Sequence, residues 1–196
     1  MAKEVKGFDG EYSFLSNFYD KRQIVQRVSF YDDREVDQYK DGKLDFLVPK
    51  CSMECYWPTS EHAFHAFKVF KDYRYPLLSE AGKFVEFLDC ETPGQAKRLG
   101  RKVNLNVEYW DSIKDIIMYK ILDLKFSKDN WSLRQKLKSL KGAYLEETNT
   151  WHDTYWGVCD GVGENKLGQL LMKLRDEIIE EDAYPDFVCD EDTKWG

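Results

Sequence analysis

The chain has 196 residues, of which 42% are hydrophobic and 15% aromatic, with a net charge of −7 and a pI near 5.1. That is the length of one domain, or at most two small ones, able to bury a sizeable core without cross-links, and the composition is that of a globular protein rather than a disordered one. The acidity excludes nucleic-acid binding by charge alone, because phosphate affinity is supplied largely by Lys and Arg, but it leaves room for a local basic pocket that takes one phosphorylated ligand.

The N-terminal stretch MAKEVKGFDGEY lacks the apolar centre of a signal peptide. No apolar run approaches membrane-spanning length. A soluble, cytoplasmic protein with no membrane partner is expected. The aromatic block Phe14-Leu15-Ser16-Asn17-Phe18-Tyr19 comes next. Residues 24–31, rich in β-branched and aromatic side chains, read as a strand. The charged stretch 32–43 reads as a loop ending in the turn signal Asp41-Gly42. Leu44–Val48 and Met53–Trp57 read as short strands.

Trp57-Pro58-Thr59-Ser60-Glu61-His62 then marks a helix entry. Proline presets the first turn, and Thr59 or Ser60 can accept from the first free N–H groups. Glu61 and His62 fall in the first turn, where the positive end of the helix dipole favours a carboxylate. The following segment, Ala63 to Phe70, is apolar enough to be buried. An acid at the mouth of a buried helix, beside a tryptophan, suits acid–base work. A capping acid that only stabilises the helix start is the plainer reading, and the hexapeptide alone favours it.

Helices are expected at 60–71, about 75–88, 93–101, 108–127, 131–140 and 164–181. Projected at 100° per residue, the 108–127 helix puts Trp110, Ile113, Ile117, Met118, Ile121, Leu122 and Leu124 on one apolar face. Lys114 and Lys125 fall within that arc. Snorkelling explains one such lysine, whereas two on one stripe point to a polar cavity lined by this helix. The last helix carries a second stripe, Asn165, Gly168, Met172 and Arg175, at steps of three and four. Gly168 suggests close approach of a backbone or a ligand. Asn165, beside Gly161 and Gly163, suits an anion or a sugar hydroxyl at a helix start, with a Gly-rich turn as the alternative. The stretch from Glu180, with Pro185, reads as a loosely docked acidic tail.

The five cysteines, Cys51, Cys55, Cys90, Cys159 and Cys189, are odd in number and scattered, as expected for reduced thiols. Cys51 and Cys55 with His62 and His65 do not match the usual structural-zinc spacings, so no metal is expected. With three histidines and neither a nucleophile elbow nor a Gly-rich phosphate loop, a serine or cysteine nucleophile is poorly supported.

Phe14–Tyr19, Trp57–His62, Gly100-Arg101, Trp110 with Lys114, Asp153 with Trp156-Gly157, and Gly163–Gly168 with Leu171-Met172 and Arg175 follow one another in order. Together they resemble the NADAR family, proteins associated with NAD and ADP-ribose, also called YbiA-like. The resemblance runs from about Phe14 to Arg175. It implies a mainly α, single multihelical domain, expected over 1–180; the run of amphipathic helices after Pro58 places the few short strands before Trp57, and acidic composition sets off a tail at 181–196. The resemblance also implies N-glycosidase activity without a cofactor or metal. The region between Tyr19 and Trp57 is longer than the family pattern, and is expected to decorate the active-site entrance or to extend a small sheet.

By that resemblance the substrate carries ribose on an exocyclic amine of a heterocycle. Some relatives cleave early riboflavin intermediates, and others remove ADP-ribose from the guanine amino group, which would require only transient nucleic-acid contact. Glu61 matches the family's catalytic glutamate and is the expected acid/base. Asp153 would stabilise positive charge at the anomeric carbon or orient a water. Lys114 or Lys68 would bind phosphate, or a lysine would attack a ring-opened sugar as a Schiff-base nucleophile. Trp110 and Trp156 are candidates to stack on the base, Asn17 and Asn165 to bond sugar hydroxyls, and Arg101 to hold phosphate. Phe14, Ser16, Phe18, Trp57, His62 and Gly157 complete the expected substrate-binding set. His62 would hold the geometry around Glu61 or be a satisfied core histidine. The alternative from another class is a non-catalytic NAD or ADP-ribose-binding module using the same pocket. The sequence leaves oligomeric state open.

Overall fold

The computed structural model describes residues 3–19 and 24–183. Chain segments in order are β1 (Glu4–Lys6), a 3-10 turn (Gly10–Leu15), β2 (Ile24–Phe30), α1 (Asp33–Lys40), β3 (Cys51–Trp57) and α2 (Ser60–Ala66). There follow α3 (Ala81–Val85), α4 (Pro93–Gly100), α5 (Val107–Lys125), α6 (Trp131–Lys138), β4 (Tyr144–Glu146) and α7 (Lys166–Ala183). The fold is mainly helical, as expected, and the strands are short.

Helices begin where the sequence supplies caps. The Thr59 hydroxyl accepts from the His62 N–H at the start of α2, Thr92 and Gln95 form a reciprocal capping box ahead of Pro93, and Asn106 accepts from the Tyr109 N–H. α5 is the spine. Its Trp110, Ile113, Ile117, Met118, Ile121 and Leu122 are buried, and α2, β2 and α7 pack on it. All seven residues of α2 are buried, including Glu61, His62 and His65, because the helix is wedged between α4 and α5.

Several expectations are corrected. The charged stretch 32–43 is not a loop: Asp32 accepts from the Arg34 and Glu35 N–H groups, Val36 is buried, and α1 forms. Leu44–Val48 is not a strand. No described residue pairs with it, and Phe46 and Val48 lie 69% and 56% exposed, since pairing partners rather than apolar residues make a strand. The segment expected as one helix over 75–88 is a 3-10 turn at Leu78–Glu80 followed by the short α3. The Glu80 carboxylate accepts there from the Leu77 and Lys71 N–H groups. Strands are also not confined to the region before Trp57: β4 pairs in parallel with β1, Val5 opposite Leu145.

The longer region between Tyr19 and Trp57 builds a separate antiparallel pair, β2 with β3, registered Ile24 opposite Trp57. Ile24, Val28, Phe30, Cys55 and Trp57 face the core. Burial pushes the Cys55 thiol up to about 11.

The last helix starts at Lys166, not 164, because Asn165 takes a left-handed conformation (φ 52°). The residues expected as a tail from 181 begin on this helix. Asp182 is held by Arg134 and Lys138, and the remainder of the tail, from 184, lies outside the described residues. The stripe Asn165, Gly168, Met172, Arg175 turns out to clamp the chain around β4. Arg175 donates to the Leu140 and Ala143 carbonyls at 2.9 and 2.6 Å, Met172 Sδ accepts from the Leu145 N–H, and Asn165 Nδ2 donates to the Leu145 carbonyl.

Gly168 is the point of closest approach: a Cβ there would overlap the Leu145 carbonyl oxygen and the Asn165 side chain. Gly168→Ala should therefore lower unfolding free energy by about 1–3 kcal/mol, the usual cost of overpacking, despite alanine's better helix propensity. Urea denaturation checks this. Unchanged or raised stability would mean the helix does not press on β4 in this way.

Candidate active site

A cavity of about 580 Å³ opens where α2, α4 and α5 meet the segment after β1 and the loop after β4. Glu61 reaches it from α2. Its backbone N–H donates to the Asn17 carbonyl, which ties the aromatic block Phe14–Tyr19 to the helix start. Its carboxylate lies 2.9 Å from His65 Nε2, one helical turn on. His65 Nδ1 is buried without a partner and faces Gly100, where any Cβ would strike the imidazole. Burial holds His65 below its usual range against the pull of Glu61. The ring is therefore neutral at neutral pH, with its proton on Nε2 donated to Glu61.

Lys68 follows on the same helical run, its ammonium over the Trp110 and Phe64 rings at 5.5 and 5.7 Å. Burial lowers its amine to about 8, opposed by Glu61 and reinforced by Lys97 and Arg101. Lys97, Arg101 and Lys114 also line the helical wall. Lys114 is tied to Asp111 at 2.7 Å and lies 3.8 Å over the Tyr155 ring.

Acids and aromatics come from the opposite segments. Asp153 Oδ1 accepts from the Tyr155 and Trp156 N–H groups at 3.2 and 2.9 Å, a turn that fixes Trp156 against Phe64. Glu147 lines the cavity just past β4. Its N–H donates to Asn165 Oδ1, its carbonyl accepts from Val158, and its Oε2 is buried without a partner. Burial pushes the Glu147 carboxyl up to about 7. Asp153, Asp9 and Glu61 add to this and Lys125 opposes it. Gly157 leaves space for the Glu147 backbone and Cγ. Phe18 and Trp151, 46% and 56% exposed, stand at the rim.

Of the residues singled out from sequence, Ser16, Asn17, Phe18, Glu61, Lys68, Arg101, Trp110, Lys114, Asp153, Trp156 and Gly157 line this one cavity. Phe14, Trp57, His62 and Asn165 do not. Phe14 packs edge-on to Phe126 in the core. Trp57 is fully buried, donates to Gln26 Oε1 and packs on Phe84. His62 lies 2.8 Å from Thr59 Oγ1 and 3.1 Å from the Cys90 carbonyl, so it is the satisfied core histidine. Asn165 spends both ends of its amide on β4 and Glu147, which leaves nothing for a sugar.

Lys125, expected to line the cavity, is buried beneath it and donates to the Ser16 carbonyl at 2.8 Å. Burial lowers its amine to about 7. None of the described residues 24–57 lines the cavity, so that region extends a small sheet and does not decorate the entrance. No group of three or more His, Cys, Asp or Glu side chains is placed to hold a metal ion among the described residues, and no helix there is long and apolar enough to cross a membrane.

Sequence reading missed His65, Glu147, Lys97 and Trp151. The i,i+4 spacing of Glu61 and His65 was a usable signal. Glu147 had none, because its place is set by β4 docking on α7.

The family described as NADAR domain matches residues 5–179. N-glycosidase YbiA of Escherichia coli is 38% identical over 124 residues, covering 62% of this chain and 71% of that protein. The chloroplastic riboflavin biosynthesis protein PYRR of Zea mays is 35% identical over 188 residues, covering 91% of this chain but 28% of that protein. The NMR structure of E. coli YbiA superposes with a TM-score of 0.61 at 28% identity, covering 93% of this chain and 88% of that one.

Proposed function

The chain belongs to the NADAR domain family and is an N-glycosidase, and we propose that it hydrolyses the bond between a phosphorylated ribose and an exocyclic amine of a heterocycle. The observation that carries this reading is the charge layout of the cavity: Glu61 lines it together with Lys68, whose ammonium feels its charge, and with Lys97 and Arg101. A ribose whose anomeric carbon faces the carboxylate would have its phosphate among these cations. The heterocycle would stack on Trp110 or Trp156, with Phe18 and Trp151 at the rim.

Cleavage of the C1′–N bond builds positive charge on the sugar and negative charge on the departing nitrogen. Glu61, oriented by the neutral His65, takes the proton of the attacking water, while Asp153 stabilises the cationic sugar. Ribosylaminopyrimidine phosphates, the early riboflavin intermediates, fit this volume and charge. ADP-ribosylated guanine in DNA is the larger candidate, and there the nucleic acid would make only transient contact at the rim. A second reading, favoured by the burial-lowered Lys68 amine, has that lysine attack the ring-opened C1′ to give an imine.

Incubation with each substrate class, with released amine and sugar read by mass spectrometry, tests the proposal. Turnover of a ribosylamine phosphate is expected, and inertness towards both classes would refute it. A cyanoborohydride arm adds a covalent sugar mass to the protein only on the imine route.

A further inference from the structure

Glu147 is a half-buried ionisable group whose inner oxygen the fold does not use. Its backbone is pinned on both sides, by Asn165 and by Val158, and its Cγ lies against the space left by Gly157. Yet its Oε2 is buried at the cavity wall with no hydrogen-bond partner. A structural carboxylate in such a place would carry a salt bridge or several donors. Lys125, the cation whose field reaches it, donates to the Ser16 carbonyl instead. The charged groups that act on it come from every side: Asp9 after β1, Glu61 on α2, Lys125 on α5 and Asp153 on the following loop. Three of the four are acids, which disfavours its ionisation. Glu61, in the same cavity, instead has the His65 N–H at 2.9 Å and the charge of Lys68 within its field. Two carboxyls whose surroundings differ in this way divide acid and base roles between them.

We propose that Glu147 is the general acid of the reaction, holding a proton at the cavity wall and delivering it to the exocyclic nitrogen. This rests on the ribosylamine reading above. The C1′–N bond breaks with its electron pair going to nitrogen, and the Glu147 proton joins that nitrogen to release the free amine. Water adds at C1′ and gives its proton to Glu61. Solvent then exchanges a proton from Glu61 back to Glu147, and the net change is hydrolysis.

The test compares Glu147→Gln and Glu147→Asp with the wild type on two substrates, a ribosylaminopyrimidine phosphate and a 4-nitrophenyl riboside phosphate whose phenolate leaves without protonation. Loss of a general acid should lower turnover of the amine substrate by roughly 10²–10⁴-fold in Glu147→Gln. The nitrophenyl substrate should lose less than roughly tenfold. The wild-type kcat/KM for the amine should fall as pH rises through about 7, where this carboxyl ionises. That limb should persist in Glu147→Asp and vanish in Glu147→Gln, leaving the one near 8 set by Lys68. Equal losses on both substrates, or a Gln variant that keeps the limb near 7, would overturn the assignment while leaving the substrate reading intact. A wild type inert on every ribosylamine would remove the substrate reading, and this proposal with it.

Discussion

Glu61→Gln is expected to lower turnover by roughly 10²–10⁴-fold, the range for losing a catalytic acid or base. The replacement keeps the shape of the side chain, and its amide oxygen can still accept from His65 Nε2, 2.9 Å away in the native site. What it loses is the carboxylate that takes a proton from water. Thermal stability should move little, because an acid in a first helical turn contributes under about 1 kcal/mol and the cap itself is the Thr59 hydroxyl. Affinity for a sugar phosphate should persist, since Lys68, Lys97 and Arg101 remain. A purely capping Glu61 predicts the reverse, a modest drop in melting temperature with activity retained. Turnover, melting and phosphate-ligand affinity on this one variant separate the two readings.

Gly157→Ala should damage fold and chemistry together. A Cβ at Gly157 would overlap the Glu147 carbonyl oxygen and come within 2.8 Å of Asn149 Nδ2 and 3.1 Å of Glu147 Cγ. Neither neighbour is free to yield. The Glu147 carbonyl accepts from Val158, and the Asn149 amide donates to the Asp153 and Val158 carbonyls. Relief must come from moving the loop that carries Glu147, Asp153 and Trp156. The expected cost is about 1–3 kcal/mol of stability, as for other overpacked sites. Activity should fall at least roughly tenfold even where the protein is fully folded, since small misplacements of catalytic groups cost that much or more. Chemical denaturation and turnover at a temperature well below the transition measure the two effects separately. A variant that is destabilised but fully active would mean that the loop tolerates the shift and that Glu147 and Asp153 need no fixed position.

What was legible in the sequence follows from what each residue depends on. Caps act locally, so Thr59 before Glu61 and Thr92-Pro93 marked the starts of α2 and α4 correctly, although α2 ends at Ala66, short of the expected 71, and passes into a 3-10 turn at Phe67–Val69. The 3.6-residue period of the 108–127 stretch gave the spine helix and drew attention to Lys114 and Lys125. Their fates diverge because cavity position is tertiary: Lys114 reaches the cavity wall, while Lys125 ends under the Ser16 carbonyl.

The α7 stripe was visible as a pattern but not as a purpose. Asn165, Met172 and Arg175 are polar or soft groups turned inward, which suits a ligand and suits a backbone carbonyl equally well. Only the docking of β4 decides, and it decides for the backbone. The same docking delivers Glu147 to the cavity, which is why adjacent Glu146 and Glu147 could not be told apart in the sequence. His62 and His65 illustrate the converse. The nearer histidine attracted the catalytic reading, yet adjacent residues on a helix point about 100° apart, and the i,i+4 neighbour is the one that meets Glu61.

The most direct test of the central claim is hydrolysis in oxygen-18 water. Wild-type protein, a ribosylaminopyrimidine phosphate and labelled water are mixed, and released amine and sugar phosphate are followed by mass spectrometry. Hydrolysis of the N-glycosidic bond predicts equal amounts of free amine and sugar phosphate, many turnovers per protein, and the heavy oxygen in the sugar phosphate rather than the amine. Saturable binding of the substrate with no release of amine would contradict it.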